Sequence, residues 1–487
     1  MYKPTVFTTL GRLSCFAMLA GLAVPTLATA AIPPNVRLVR DIHPGVASAN
    51  IGETFAFGEI LLFTADDGVH GWELWRSDGT EAGTVLVKDI SPGTTGSYAV
   101  DFAALGGAVL FAADDGVHGR ELWRTDGTEA GTTLVKDINP GALDGVAFGN
   151  RFVSMGGAVY FVGYQPATGS ELWRSDGTDG GTQLVKDIYP GPGPTENCGP
   201  CPECGHRTPR GLAVMGGALY FAAADSGECW TGVYDTELWR STGKETETWR
   251  VRDIEPNGWG STPQRLTVVG NVLYFWADYA LYRSDGTESG TLPVPAAPQP
   301  SELVAASSRL YFTARSPSFD LELWRTAPGD PGAALVRTIA PSQLFCGGHL
   351  FAQGNNLLLE GADPARGCEL WTSDGTGPGT SLLSDVFPGP DSSHPNYFAN
   401  APTGVTYFTA ADGVSAGTDE RELWRTDGTA QGTRLVADLR PGLQGSDPYP
   451  GVVAGRYLFF AADDGASGRE LWAVDLDVLF VDGFDGP

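Results

Sequence analysis

Positive charge is scarce in this sequence: 31 Lys and Arg stand against 58 Asp and Glu, for a formal net charge of −27 at pH 7. So acidic a surface repels phosphate backbones and anionic headgroups, which argues against nucleic acid and simple membrane-surface binding. Long apolar runs are also missing, apart from Leu13 to Val24 near the N-terminus, so no segment of the mature chain reads as a membrane span. Histidine is rare, at 6, and cysteine at 7. There is no His-Glu-x-x-His helix or Walker loop, and no full EF-hand spacing. Linear motifs thus offer no catalytic centre. The chain is rich instead in glycine, with 66 residues, and 10% of it is aromatic. Regular turn clusters with that composition suit a many-stranded β protein rather than disorder.

The dominant feature is a repeat. Glu73-Leu74-Trp75 returns at Glu121, Glu171, Glu237, Glu322, Glu369, Glu422 and Glu470, each followed by Leu-Trp, and a degraded copy stands at Ala280-Leu281-Tyr282. The aromatic positions lie 48, 50, 66, 43, 42, 47, 53 and 48 residues apart, a period that builds propellers and related arrays. Ahead of each copy runs an apolar segment such as Ile60-Leu61-Leu62-Phe63 or Val159-Tyr160-Phe161-Val162, bracketed by turns such as Gly106-Gly107 and Asp114-Asp115-Gly116. A further short run precedes the Gly pair. Four strands per unit make a blade.

The hairpin within the motif can be given a register. With Asp78 to Gly83 as its loop, Ser77 faces Thr84, Trp75 faces Leu86 and Glu73 faces Lys88. The same offset sets Glu121 against Lys136, Glu171 against Lys186, Glu237 against Arg252 and Glu322 against Arg337. This predicts a repeated cross-strand ion pair worth about 0.2–1 kcal/mol each. Glu369 and Glu422 face Ser384 and Ala437 and need other partners. At the N-terminus, Arg37 to Gly45 read as a closing strand without a hairpin, while Glu470-Leu471-Trp472 lacks a closing strand. The N-terminal strand is therefore expected to complete the last blade, with Arg40 opposite Glu470, leaving no free sheet edge.

These motifs resemble the bacterial ELWxxDGT repeat family across nearly all of residues 37–475, with a more distant likeness to kelch blades. The resemblance implies an exported, all-β, closed propeller and carries no single activity. About eight to nine repeats are expected, fewer blades resulting if the units around Tyr282 and Trp324 merge.

Residues 1–30 read as a secretory signal, with Lys3 and Arg12, the apolar stretch, and a small-residue cleavage site at Ala28-Thr29-Ala30. Their removal takes the net charge from −27 to −29, since they carry those two basic residues and no acids. Residues 31–475 form the propeller, interrupted by a Cys-rich insertion at 191–210, and 476–487 form a C-terminal tail. An exported chain, periplasmic, cell-surface or secreted, favours disulfides among Cys198, Cys201, Cys204, Cys229, Cys346 and Cys368. Cys346 and Cys368 flank one strand pair and are expected to bond each other. The spacing from Cys198 to Cys204, with His206, could alternatively hold zinc or an iron–sulfur cluster.

The recurring Asp-Gly turns invite a Ca²⁺ reading, with Asp66, Asp67, Asp114, Asp115, Asp463 and Asp464 as ligands, although Asp and Gly are also what tight hairpins require. His70 and His118 occupy equivalent repeat positions and read as structural; His206, His349 and His394 are unique. Trp230 and Trp259 lie off the ELW position near loops, where they could stack on sugar rings. Together these features lead to the expectation of a monomeric, non-enzymatic propeller that binds a glycan, peptide or surface partner through loops on one face. The alternatives are a propeller hydrolase or lyase acting on polysaccharide, or a structural envelope or matrix protein.

Overall fold

A computed structural model describes residues 32–147, 149, 151–190, 208–228, 233–411, 421–442 and 444–478. Residues 1–31, where a leader is expected, lie outside the described residues, as do Cys198, Cys201, Cys204, His206, Cys229, Trp230 and the tail from residue 479. Within them the strands form nine four-stranded antiparallel sheets, the blades of a propeller. Blade 1 runs through Thr54–Phe57, Ile60–Asp66, Trp72–Ser77 and Val85–Lys88, and the later blades repeat that order. The stretches around Tyr282 and Trp324 do not merge: Ala280–Ser284 and Leu321–Thr326 belong to separate sheets, blades 5 and 6.

The first strand of each blade is the innermost, since at most joints of the ring the first strands of successive blades touch one another. Tyr449–Ala454 of blade 9 meets both Asn396–Asn400 of blade 8 and Thr54–Phe57 of blade 1. The ring is closed by Val36–Arg40, which pairs antiparallel with Arg469–Asp475 as the outermost strand of blade 9. A bulge shifts the expected register by one residue, so Arg40 faces Leu471 rather than Glu470.

Apolar packing runs between blades. Leu61, Phe63 and Trp75 of blade 1 pack with Phe459 and Leu471 of blade 9, while Leu62 and Leu74 pack with Phe111 and Trp123 of blade 2. Each ELW tryptophan fills the joint to the preceding blade. A blade alone would leave both of its faces wet, so burial favours the whole ring.

The predicted Glu–Lys ion pairs do not form. A bulge between Leu74 and Trp75 places Leu74, not Glu73, opposite Lys88, and the same shift recurs in blades 2, 3, 4 and 6. The extra residue turns Glu73 inward. Fully buried, it accepts from the backbone N–H groups of Ile90 and Ser91 and from the hydroxyl of Ser97, on the segment leading to blade 2. Glu237, Glu369 and Glu422 hold Ser261, Ser393 and Ser446 in the same way, and Glu470 holds Ile42, His43 and Ala49. Glu369 and Glu422, which seemed to depart from the pattern, follow it. The basic residues reach the next blade instead: Lys88 Nζ donates to Thr132 O at 2.9 Å, and Arg252 Nη1 to Thr291 O at 2.6 Å.

Blades 5 and 6 are the exceptions: blade 5 has Ala280 in the place of the glutamate, and blade 6 keeps its glutamate but uses it otherwise. Glu322 accepts from Trp324 Nε1 and leaves the following segment to other fastenings. There the expected Cys346–Cys368 disulfide ties the segment to blade 7, and the buried Glu360 accepts from Gly348 N at 2.9 Å.

Candidate active site

Five residues ahead of the turn glycines Gly58, Gly106, Gly156, Gly216, Gly270 and Gly354 stand Glu53, Asp101, Arg151, Gly211, Arg265 and His349, where each innermost strand begins. Glu302 and Tyr397 are the equivalents in blades 6 and 8. The next residue is apolar in seven of these eight blades: Phe102, Phe152, Leu212, Leu266, Leu303, Leu350 and Phe398, with Thr54 in blade 1. The framework repeats while this one position does not. Bulges fall at this point in blades 2, 4, 5 and 8, with Asp101, Gly211, Arg265 and Tyr397 at φ of 62°, 68°, 56° and 51°. A bulge re-aims the side chain it carries.

On one arc of the ring, Glu53, Asp101 and Arg151 line a cavity of 580 Å³ with Phe55, Phe102 and Tyr449. The backbone N–H of Asp101 donates to Glu53 Oε2 at 2.8 Å, which holds the Glu53 carboxylate against the main chain of Asp101. Asp101 is only 6% exposed, and its Oδ2 has no hydrogen-bond partner among the described residues. Burial first, and then the neighbouring charge of Glu53, push its pKa up to about 6, against the pull of Arg120 and Arg151. One carboxyl of the pair is thus tuned to keep its proton up to about pH 6.

A second group gathers on blades 6 to 8. His349 Nδ1 lies 3.9 Å from Glu302 Oε2, and the proton affinity of Glu302 is raised, chiefly by burial. Glu360 Oε1 lies 2.8 Å from His394 Nδ1. Glu360 faces the Leu of its ELW motif, a place held by Thr64, Ala112, Val162 and Ala222 in blades 1 to 4. Of the unique histidines, His349 and His394 are therefore brought to the neighbourhood of unrepeated acids.

The residues considered for calcium serve their own turns. Asp66 Oδ1 accepts from Gly68 N, and Asp67 Oδ1 from Val69 N and His70 N, with His70 Nδ1 at 2.8 Å from Asp67 Oδ2. Asp114 and Asp115 repeat this arrangement with Gly116, Val117 and His118, as Asp463 and Asp464 do with Gly465, Ala466 and Ser467. Among the described residues, two triads of potential ligands come together. In one, the sulfurs of Cys346 and Cys368 are bonded to each other beside Glu360. In the other, Asp235 holds Arg250 at 2.7 Å and Glu237 holds Ser261, beside Asp253. Trp259 is 70% exposed beside a separate cavity between blades 4 and 5.

No family model matches this chain, and no curated protein sequence matches it. Solved structures do. A puromycin hydrolase is similar over 78% of this chain at 13% identity and a TM-score of 0.35; the prolyl oligopeptidase B of Galerina marginata is similar over 76% at 11% identity and a TM-score of 0.41. This chain spans 61% and 57% of their lengths. The β-propeller domain of the Trilobed protease from Pyrococcus furiosus is similar over 89% of this chain and 96% of its own length, at 10% identity and a TM-score of 0.35. The likeness is one of fold. Those chains are named as hydrolases and peptidases. The expectation of a non-enzymatic binding propeller is corrected on this chain's own geometry, in which Glu53, Asp101 and Arg151 from three blades line one cavity. That expectation rested on missing linear motifs, whereas a propeller assembles its polar residues from separate blades.

Proposed function

We propose that this chain is an exported hydrolase or lyase that cleaves polysaccharide at the channel-mouth cavity, with Asp101 as proton donor and Glu53 as the charged partner. The observation that carries the reading is the Glu53–Asp101 pair: both line one cavity, the Asp101 N–H donates to Glu53, and burial with the charge of Glu53 raises the Asp101 pKa to about 6. Cleaving a glycosidic bond by hydrolysis requires one carboxylic acid to protonate the leaving oxygen and one carboxylate to stabilise the oxocarbenium ion or activate water. Phe55, Phe102 and Tyr449 offer apolar faces to sugar rings, and Arg151 offers donors to hydroxyl or carboxyl oxygens. The leader at residues 1–30 supports export, and the ELW hairpins support assignment to the ELWxxDGT repeat proteins.

The test is incubation of the mature protein with a panel of neutral and acidic polysaccharides, reading new reducing ends and the ultraviolet absorbance of unsaturated products. Reducing ends alone indicate hydrolysis; both signals indicate elimination. Activity that persists in Asp101→Asn, or no product across the panel, overturns the proposal.

A further inference from the structure

Blade 5 is cut short beside a tall neighbour. The second strand of blade 4, Ala218–Glu228, has 11 residues, whereas its counterpart in blade 5, Val272–Ala277, has 6. Blade 5 then turns in only two residues, since Ala277 pairs with Ala280 across Asp278 and Tyr279. Between the short hairpin and the connection that arrives from blade 4 lies a cavity of 670 Å³, lined by Trp259, Trp276, Tyr279, Glu255, Gln264 and Asp278. Its aromatics are displayed rather than packed away. Trp259 is 70% exposed and Tyr279 85%.

The backbone holds these rings out at a cost. Asp278 and Tyr279 lie at φ of 43° and 57°, the left-handed pair that a type I′ hairpin demands and that Asn-Gly satisfies best. A bulky residue there is strained, and strain kept at an exposed tip points to use. Trp259 is steadied by Gly260, at φ 67°, where a Cβ would come within 2.3 Å of Thr236 N. Trp276 occupies the place of Thr64 or Ala112 in other blades, opposite the Leu of the hairpin. None of these three aromatics is required by the repeat.

We propose that this cleft is a saccharide-binding subsite for a neutral glycan, separate from the channel-mouth cavity. Pyranose rings present C–H faces that stack on Trp and Tyr, while their hydroxyls donate to carboxylates and amides. Glu255, Asp278 and Gln264 supply such acceptors here. Two carboxylates in a strongly acidic protein repel uronate and sulfate groups, so the glycan is uncharged. The subsite rests on the reading of a polysaccharide substrate, in its hydrolase form since a neutral glycan has no uronate to undergo elimination, and would hold the chain while the channel cleaves it.

Affinity electrophoresis in gels carrying glucomannan or polygalacturonate tests this. The mature protein is expected to be retarded by glucomannan and not by polygalacturonate, and Trp259→Ala to lose at least threefold of the retardation. Tyr279→Gly separates function from folding: relief of the left-handed strain should raise Tm while retardation falls. Asp101→Asn is expected to keep full retardation, so a failed catalytic assignment would leave this result standing. No retardation of the parent protein by glucomannan, equal retardation by polygalacturonate, or retardation unchanged in both Trp259→Ala and Tyr279→Gly overturns the subsite.

Discussion

The hydroxyl of Ser97 donates to Glu73 Oε2 at 2.6 Å, joining the hairpin of blade 1 to the segment that leads into blade 2. The same carboxylate accepts from Ile90 and Ser91, so one side chain satisfies three donors. Glu73→Ala leaves all three short of an acceptor in a dry joint, where each unsatisfied group costs about 1–3 kcal/mol. A loss of about 3 kcal/mol or more is expected, read as a lower urea midpoint. Ser97→Ala, which removes one donor and keeps the backbone bonds, should cost about 1 kcal/mol.

Acidity should stabilise the ring. Glu121, Glu171, Glu369, Glu422 and Glu470 are carboxyls whose burial pushes the pKa from 4.5 up to about 7. Between those values the folded chain binds more protons than the unfolded one, so stability falls as pH rises through that window. The turn aspartates act in the opposite sense at lower pH. Hydrogen bonds from Thr80 and Thr128 hold Asp78 and Asp126 below 3.8, and the stabilisation they bring is lost as pH falls through their folded values. Melting temperature is therefore expected to be higher at pH 5 than at pH 8 and to fall again below pH 4. A flat profile from 5 to 8 would show these glutamates ionised throughout.

Reduction should act at the joint between blades 6 and 7. Glu322 does not fasten the following segment there, and Cys346–Cys368 closes a loop of 22 residues across it. Replacing both cysteines with serine is expected to cost about 3 kcal/mol. Hydrogen exchange should then quicken first in the segment around Gly348 rather than at the joint between blades 1 and 2.

Opening the ring should be worse than weakening a joint. Deletion of residues 32–41 removes the outer strand of blade 9 and the Ile42-side support of Glu470, exposing the edge of Arg469–Asp475. An exposed, paired-ready edge favours association between chains. Light scattering on heating should show aggregation starting well below the melting point of the intact chain.

Catalysis should carry the signature of Asp101. Asp101→Asn is expected to lower turnover by about 10²–10⁴-fold, and activity of the parent chain should decline as pH rises above about 6, where Asp101 loses its proton. A rate that climbs through that range would assign the proton donor elsewhere.

The repeat, its strands and the closure by residues 37–40 were legible because they depend on local alternation of apolar residues and on turn chemistry written near in sequence. The same locality misled at Glu73. Counting residues across the hairpin set it against Lys88, and one bulge residue at Leu74 and Trp75 turned the carboxylate from an ion pair into a fastening between blades. His349 and His394 stood out as unique, but their acids did not. Glu53 and Asp101 look like ordinary variable polar residues until the repeats are aligned on their turn glycines, when a single position proves to change from blade to blade.

By itself, then, the sequence determined that this chain is built of repeated four-stranded units, that its first strand belongs to its last blade, and that Cys346 and Cys368 meet. Those features follow from periodic burial and short-range turns. Only the tertiary structure decided which carboxylates hold the blades together and which face an open cavity. That division depends on bulges and on the curvature of a closed ring, which bring residues 53, 101 and 151 to one cavity although each is about 50 positions from the next.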